Sequence, residues 1–184
     1  MKNLSILGST GSIGQNCLRV VGENPSLFKV IGLAAGNNVN ELFKQIKVFR
    51  PQIVSVSNST SKDLLKKKLM DLPLSNRPRL LTGIEGLLEV ATLPETDLVV
   101  SSIVGIAGLE PTVQAIEHGK TIALANKEIL VVAGEIITAI ARDTGTQIIP
   151  VDSEHSAIHQ CLRCGQPNEI SRIILTASGG PFLN

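Results

Sequence analysis

Short apolar runs alternate along the chain with longer segments of helical period. The runs at 4–7, 29–34, 52–56, 97–101, 121–123 and 147–151 read as strands, with a weaker one at 79–81. Between them, 13–23, 40–49, 61–70, 84–91 and 128–142 have helical length and amphipathic or apolar patterning. Strands that are apolar along their whole length are buried on both faces. Repeated strand-then-helix punctuation therefore predicts an α/β fold, a doubly wound, Rossmann-like parallel sheet covered by helices on both faces.

The pattern changes near Pro150. Residues 1–150 are expected to form the sheet domain, and 151–184 to open a second, α+β domain that the chain does not finish. Within that second part, 172–176 reads as a strand running into Ala177-Ser-Gly-Gly-Pro-Phe182. The charge run Lys62–Lys68 reads as a solvated helix face.

Composition narrows the function. The 184 residues are 43% hydrophobic, enough for a sizeable core. Seventeen Lys+Arg against sixteen Asp+Glu give +1, with no concentrated excess, and there are four Phe but neither Trp nor Tyr. A nucleic-acid partner needs a basic field or stacking rings, so none is expected. No apolar run approaches the roughly 18 residues of a membrane span, and the N-terminus lacks a signal-peptide pattern. With three cysteines, a reducing cytoplasmic setting fits.

Gly8-Ser-Thr-Gly-Ser-Ile-Gly14 follows the first strand and opens the first helix, the context a dinucleotide loop requires. Gly8 permits the tight turn, Gly11 a close approach to a pyrophosphate, and Gly14 close packing of the helix on the sheet. The N–H groups of Thr10 through Ile13 would face the phosphates. The alternative is a plain glycine-rich turn. The second strand ends at Ala34-Ala-Gly-Asn-Asn38, without the acid that commonly holds an NAD ribose. That absence favours NADP, although no Arg or Lys stands in the turn.

Two further polar clusters sit at strand ends. Asn126-Lys-Glu128 follows the 121–123 strand, where Lys127 can meet a phosphate or a reacting oxygen. The alternative is a helix cap with a surface lysine. Asp152-Ser-Glu154 follows the 147–151 strand. Carboxylates at i and i+2 on extended backbone share a face, and they suit a hard divalent cation. The alternative is a helix start, with Asp152 or Ser153 as cap and Glu154 in the first turn. Cys161-Leu-Arg-Cys164 has metal or redox spacing, but it lacks a second ligand pair and falls at a helix end, so it reads as two reduced thiols. His155 and His159 share a helix face without the Glu of a zinc-protease motif, and His155 is placed to line the site.

Taken in order, Gly8–Gly14, Ala35-Gly-Asn-Asn38, Ala125-Asn-Lys-Glu128, Pro150-Val-Asp-Ser-Glu-His-Ser-Ala157 and Ala177–Phe182 resemble the 1-deoxy-D-xylulose 5-phosphate reductoisomerase family over the whole chain. The resemblance implies an enzyme of the methylerythritol phosphate route to isoprenoid precursors, using NADPH and a divalent cation, Mn²⁺, Mg²⁺ or Co²⁺. It implies cofactor contacts at Thr10, Gly11, Ser12, Ile13, Gly36, Asn37, Asn38, Asn126 and Glu128. It implies metal ligands at Asp152 and Glu154. Substrate contacts would come from Lys127, Ser153, Glu154 and Ser178, with Lys127, Asp152 and Glu154 catalytic. Asn37 stands where the family often has Arg or Lys, and His159 where it more often has an aromatic residue. Members are considerably longer, so the chain is expected to be an N-terminal portion, inactive alone, of an enzyme that is a homodimer at full length. Two other readings remain open at this point: a different NADP dehydrogenase, of the homoserine or semialdehyde type, and a nucleotide-binding module without activity.

Overall fold

The computed structural model describes residues 1–175. Its strands are β1 (Lys2–Leu7), β2 (Phe28–Ala34), β3 (Ile53–Val56), β4 (Arg79–Thr82), β5 (Leu98–Ser101), β6 (Thr121–Leu124) and β7 (Ile148–Pro150). They pair in the order β4-β3-β2-β1-β5-β6-β7, every neighbouring pair parallel. The helices are α1 (Ser12–Glu23), α2 (Val39–Phe49), α3 (Ser59–Leu69), α4 (Gly83–Ala91), α5 (Leu109–Glu117), α6 (Glu128–Thr144) and α7 (Ser153–Leu162).

Alternation along the strands sends side chains into two cores. Leu4, Ile6, Val30, Leu33, Val54 and Val56 pack with Leu18 and Val21 of α1, Leu42 and Ile46 of α2, and Leu65 of α3. On the other face, Leu7, Ile53, Val99, Ile122 and Leu124 meet Val90 of α4, Ile116 of α5, and Ile129 and Ile137 of α6. Each such fully buried side chain contributes about 1.5–3 kcal/mol. The chain builds outward from β1 to β4, then crosses back to lay β5 on the other side of β1. That reversal puts a switch point between β1 and β5, and ligands of open α/β sheets bind in the crevice there.

The expected strands of the sheet are all present to within two residues at each end. α5 was not singled out by the pattern, because Pro111 lies inside it. Pro111 is the third residue of the helix, where a missing N–H costs nothing. The strand expected over 172–176 is absent from its described part. Residues 171–175 have no regular structure, and Ile173, Ile174 and Leu175 are exposed. Apolar β-branched residues make a strand only against a ladder partner, and none pairs with this segment among the described residues. Pro150 is accommodated because β7 is an edge strand.

Candidate active site

The glycine loop leaves β1 with Gly8 at φ 86°, and the N–H groups of Gly8 and Ser9 both donate to the Ala34 carbonyl at 2.9 Å. A Cβ on Gly8 would lie 2.8 Å from the Ser102 carbonyl oxygen, so the turn runs against the end of β5. Gly14 serves a different contact from the one expected. Its missing Cβ would meet the Gly8 carbonyl at 2.4 Å and the Ser9 Cα at 2.6 Å, so it lets α1 close on its own loop rather than on the sheet. Gly11 caps α1 with no side chain, and the first ladder bond runs from Gln15 N–H to Gly11 O at 2.9 Å. The N–H groups of Ser12, Ile13 and Gly14 are therefore outside the helix ladder. With no acid in the first turn, this end of α1 is suited to an anion.

Above the switch point lies a cleft of about 540 Å³. Thr10 and Gly11 form one wall, Gly36 and Ser57 the rim over β2 and β3, and Ile103 to Ala107 the opposite side. Ile84, Val104 and Ile106 expose apolar side chains at its mouth. Asn126 is buried, and its Nδ2 donates to the carbonyls of Ile103 at 2.5 Å and Gly105 at 2.7 Å. It thus braces the loop after β5 from behind, leaving its buried Oδ1 without a partner. Asn38 caps α2 by accepting from Glu41 N–H, and Asn37 faces the turn after β3.

A second cluster forms where β6 and β7 end side by side. Lys127 precedes α6, and its Nζ lies 3.0 Å from Asp152 Oδ2 and 3.8 Å from Glu154 Oε2. The carboxylate pair expected on extended backbone is instead carried by a helix start. Asp152 caps α7, accepting from His155 N–H, while Ser153 and Glu154 sit in its first turn. The backbone of this cap turns Asp152 back toward the helix and toward Lys127. The hydrogen bond to Asp152, then the fields of Asp152 and Glu154, raise Lys127 above the ordinary lysine range. The Lys127 hydrogen bond holds the Asp152 carboxyl below its ordinary value, against its partial burial and with help from His155 N–H. His155 Nδ1 also lies 3.2 Å from Asp152 Oδ1.

Family models match nearly the whole chain. The model described as 1-deoxy-D-xylulose 5-phosphate reductoisomerase covers residues 4–134, and that for the C-terminal domain of the same enzyme covers 148–184. The chain belongs to the 1-deoxy-D-xylulose 5-phosphate reductoisomerase family. A reductoisomerase of that name from Chlorobaculum tepidum is 54% identical over 182 residues, 99% of this chain and 47% of the relative. The reductoisomerase structure from Zymomonas mobilis in complex with NADPH superposes with a TM-score of 0.87 at 38% identity, covering 98% of this chain and 47% of that one. Another, of DOX-P reductoisomerase with NADPH, fosmidomycin and magnesium, gives 0.83 at 40% identity, over 88% of this chain and 39% of that one. The chain spans about half the length of the curated relatives it matches.

Within this reductoisomerase fold the expected residues divide into two groups. Thr10, Gly11 and Gly36 line the cleft, Ser12 and Ile13 open α1 beside it, and Asn37 and Asn38 follow Gly36 in the turn into α2. Lys127, Asp152 and Glu154 converge in the second cluster, beside Ser153 and Glu128. Ser178 lies outside the described residues. Asp152 and Glu154 offer the oxygen donors a hard cation prefers. Among the described residues no group of three or more metal-ligating side chains forms, and Cys161 and Cys164 are exposed at the end of α7. Among them also, no helix is long and apolar enough to cross a membrane.

Sequence reasoning missed the wall made by Gly83, Ile84 and Leu87 and the segment from Ser102 to Ala107. The signal for the latter was present. Ser102-Ile-Val-Gly-Ile-Ala-Gly108 is a glycine-bearing turn at the carboxyl end of β5, beside the switch point.

Proposed function

We propose that this chain carries the dinucleotide-binding part of a reductoisomerase that converts 1-deoxy-D-xylulose 5-phosphate to 2-C-methyl-D-erythritol 4-phosphate. Residues 1–150 would be the NADP-binding domain, and 151–184 the opening of the metal- and substrate-binding domain. The observation that carries this reading is the cleft at the switch point, with the unblocked N-terminus of α1 beside it. When bound, NADPH would supply hydride, and a divalent cation, Mg²⁺, Mn²⁺ or Co²⁺, would polarise the substrate's ketone and hydroxyl oxygens.

The chain's own residues do the rest. N–H groups of Ser12 and Ile13 would receive the pyrophosphate, and Thr10, Gly11 and Gly36 would leave room for it along the cleft. Ile84, Val104 and Ile106 give a flat ring apolar surface. Asn126 holds the far wall in place through two carbonyls. Asp152 is oriented by its capping bond, so its second oxygen stays turned to the Lys127 side. Asp152 and Glu154 would hold the cation. Lys127 places a positive charge where the substrate's phosphate or developing oxyanion would sit. Ser153 and Ser178 would contribute substrate hydrogen bonds.

The partner implied is a small phosphorylated sugar rather than nucleic acid or membrane. The full-length protein would be a cytoplasmic homodimer. Fluorescence titration of the 184-residue polypeptide with NADPH tests the reading: saturable binding supports it, and none refutes it. The same polypeptide is expected to give no turnover.

A further inference from the structure

The turn at Gly36–Asn38 contains neither Arg nor Lys, the usual partners of a ribose 2′-phosphate. Neutral side chains fill that position. Asn37 Oδ1 accepts from Asn58 Nδ2 at 2.8 Å, from Ser61 Oγ at 3.2 Å and from Ser57 Oγ. Ser57 lies at the end of β3, lines the cleft, and donates its N–H to the Gly36 carbonyl at 3.4 Å. Its Oγ also accepts from Asn58 Nδ2 at 3.1 Å. The other amide oxygens of the cluster are committed too: Asn38 Oδ1 to Glu41 N–H and Asn58 Oδ1 to Ser61 N–H.

The cluster is thus rich in donors, while each of its side-chain amide oxygens already accepts at least one of them. A ribose hydroxyl that must donate needs a free acceptor, which an Asp or Glu supplies in NAD enzymes. A phosphate presents only acceptor oxygens and needs donors. Donors directed at an ionised oxygen form bonds about twice as strong as those to a neutral one, so exchanging Asn37 Oδ1 for a phosphate oxygen is favourable.

We infer that Ser57 and Asn58, on the turn between β3 and α3, select a 2′-phosphorylated ribose by turning their donors from Asn37 to the phosphate. The inference rests on the dinucleotide reading of the cleft. Selection here is by neutral donors, which the ionised acceptor oxygens of a 2′-phosphate engage more strongly than a single ribose hydroxyl does.

The test is a pair of dissociation constants, for NADPH and NADH, measured by fluorescence on the 184-residue chain and its variants. Asn58→Asp keeps the α3 cap, since Asp caps as well as Asn, but replaces the donor with a charged acceptor. The preference for NADPH is expected to fall by about tenfold or more, with NADH bound no more weakly. Ser57→Ala removes one exposed hydroxyl and should weaken NADPH about three- to tenfold and NADH by clearly less. If Asn58→Asp loses its circular dichroism, Ser57→Ala decides the matter. A wild-type preference in the folded variants, or equal loss of both dinucleotides, overturns the assignment alone. Failure of the unmodified chain to bind either dinucleotide overturns the cleft reading, and the assignment with it.

Discussion

Replacing Gly14 by alanine sets two opposing effects on one methyl group. Ala is the better helix former by up to about 1 kcal/mol, which alone would stabilise α1. The added carbon would, however, lie 2.4 Å from the Gly8 carbonyl oxygen, 2.6 Å from Ser9 Cα and 2.7 Å from the Ser9 carbonyl oxygen. All three are backbone atoms, and the N–H groups of Gly8 and Ser9 are pinned to Ala34. The loop can retreat only by giving up those bonds. Overpacking of about 1–3 kcal/mol plus about 1 kcal/mol for each lost bond exceeds the gain in propensity, leaving a net loss of about 2–4 kcal/mol. Gly22, in the same helix, is the control. A Cβ there would find only Phe49 ring atoms at 3.9 and 4.0 Å, so Gly22→Ala should stabilise by about 0.5 kcal/mol. Urea unfolding gives both numbers, and NADPH titration adds a readout of loop geometry. If the two variants shift the midpoint in the same direction, or Gly14→Ala binds NADPH as well as the parent, the account of the loop is wrong.

Three other outcomes can be checked. In a full-length version, Asp152→Asn or Glu154→Gln should abolish turnover with NADPH affinity nearly intact, since cleft and carboxylate cluster sit at different strand ends; joint loss would mean a structural role. Burial pushes the Cys17 thiol up, so mass spectrometry after mild alkylation near pH 8 should find Cys161 and Cys164 modified well before Cys17; equal labelling would contradict its packing. Because the Asp152 carboxyl is held low, its contribution to stability is fully present above about pH 4 and lost as pH falls through its lowered value, while that of Lys127, held high, is lost only in strong alkali. The stability difference between the parent and Asp152→Asn should therefore shrink in acid, and a difference that stays flat to pH 2 would reject the pairing.

The sheet was legible because strands buried on both faces are written as continuous apolar runs, and the glycine loop because its position after β1 restricts what it can be. Other features depended on a partner the local pattern does not name. The Ile-Ile-Leu run at 173–175 has strand composition but no strand beside it. Asp152 and Glu154 were recognisable as a pair, yet their meeting with Lys127 depends on α7 starting at Ser153 and on β6 and β7 being neighbours. That Asn126 Nδ2 would reach two carbonyls of the preceding loop was not legible, because that contact depends on the course of the chain after β5. The donor cluster around Asn37 joins residue 37 to residues 57, 58 and 61 across the β2-α2-β3 crossover, and no spacing rule links them.

The position of β1 also bears on how the chain is made. β1 is synthesised before the other six strands of this sheet, and one edge of it is covered only when β5 arrives, through Leu4↔Leu98 to Leu7↔Ser101 and the Ser5–Thr96 and Asn3–Asp97 hydrogen bonds. At about 5–20 residues per second, that edge stays open on the ribosome for about 5–20 s after β1 emerges. Through this interval β1 to β4 can pair in order of emergence, leaving an apolar strand edge as a template for a second nascent chain. Crowded translation on one message therefore exposes this fold to pairing between neighbours, and slower initiation should raise its soluble yield more than slower elongation does.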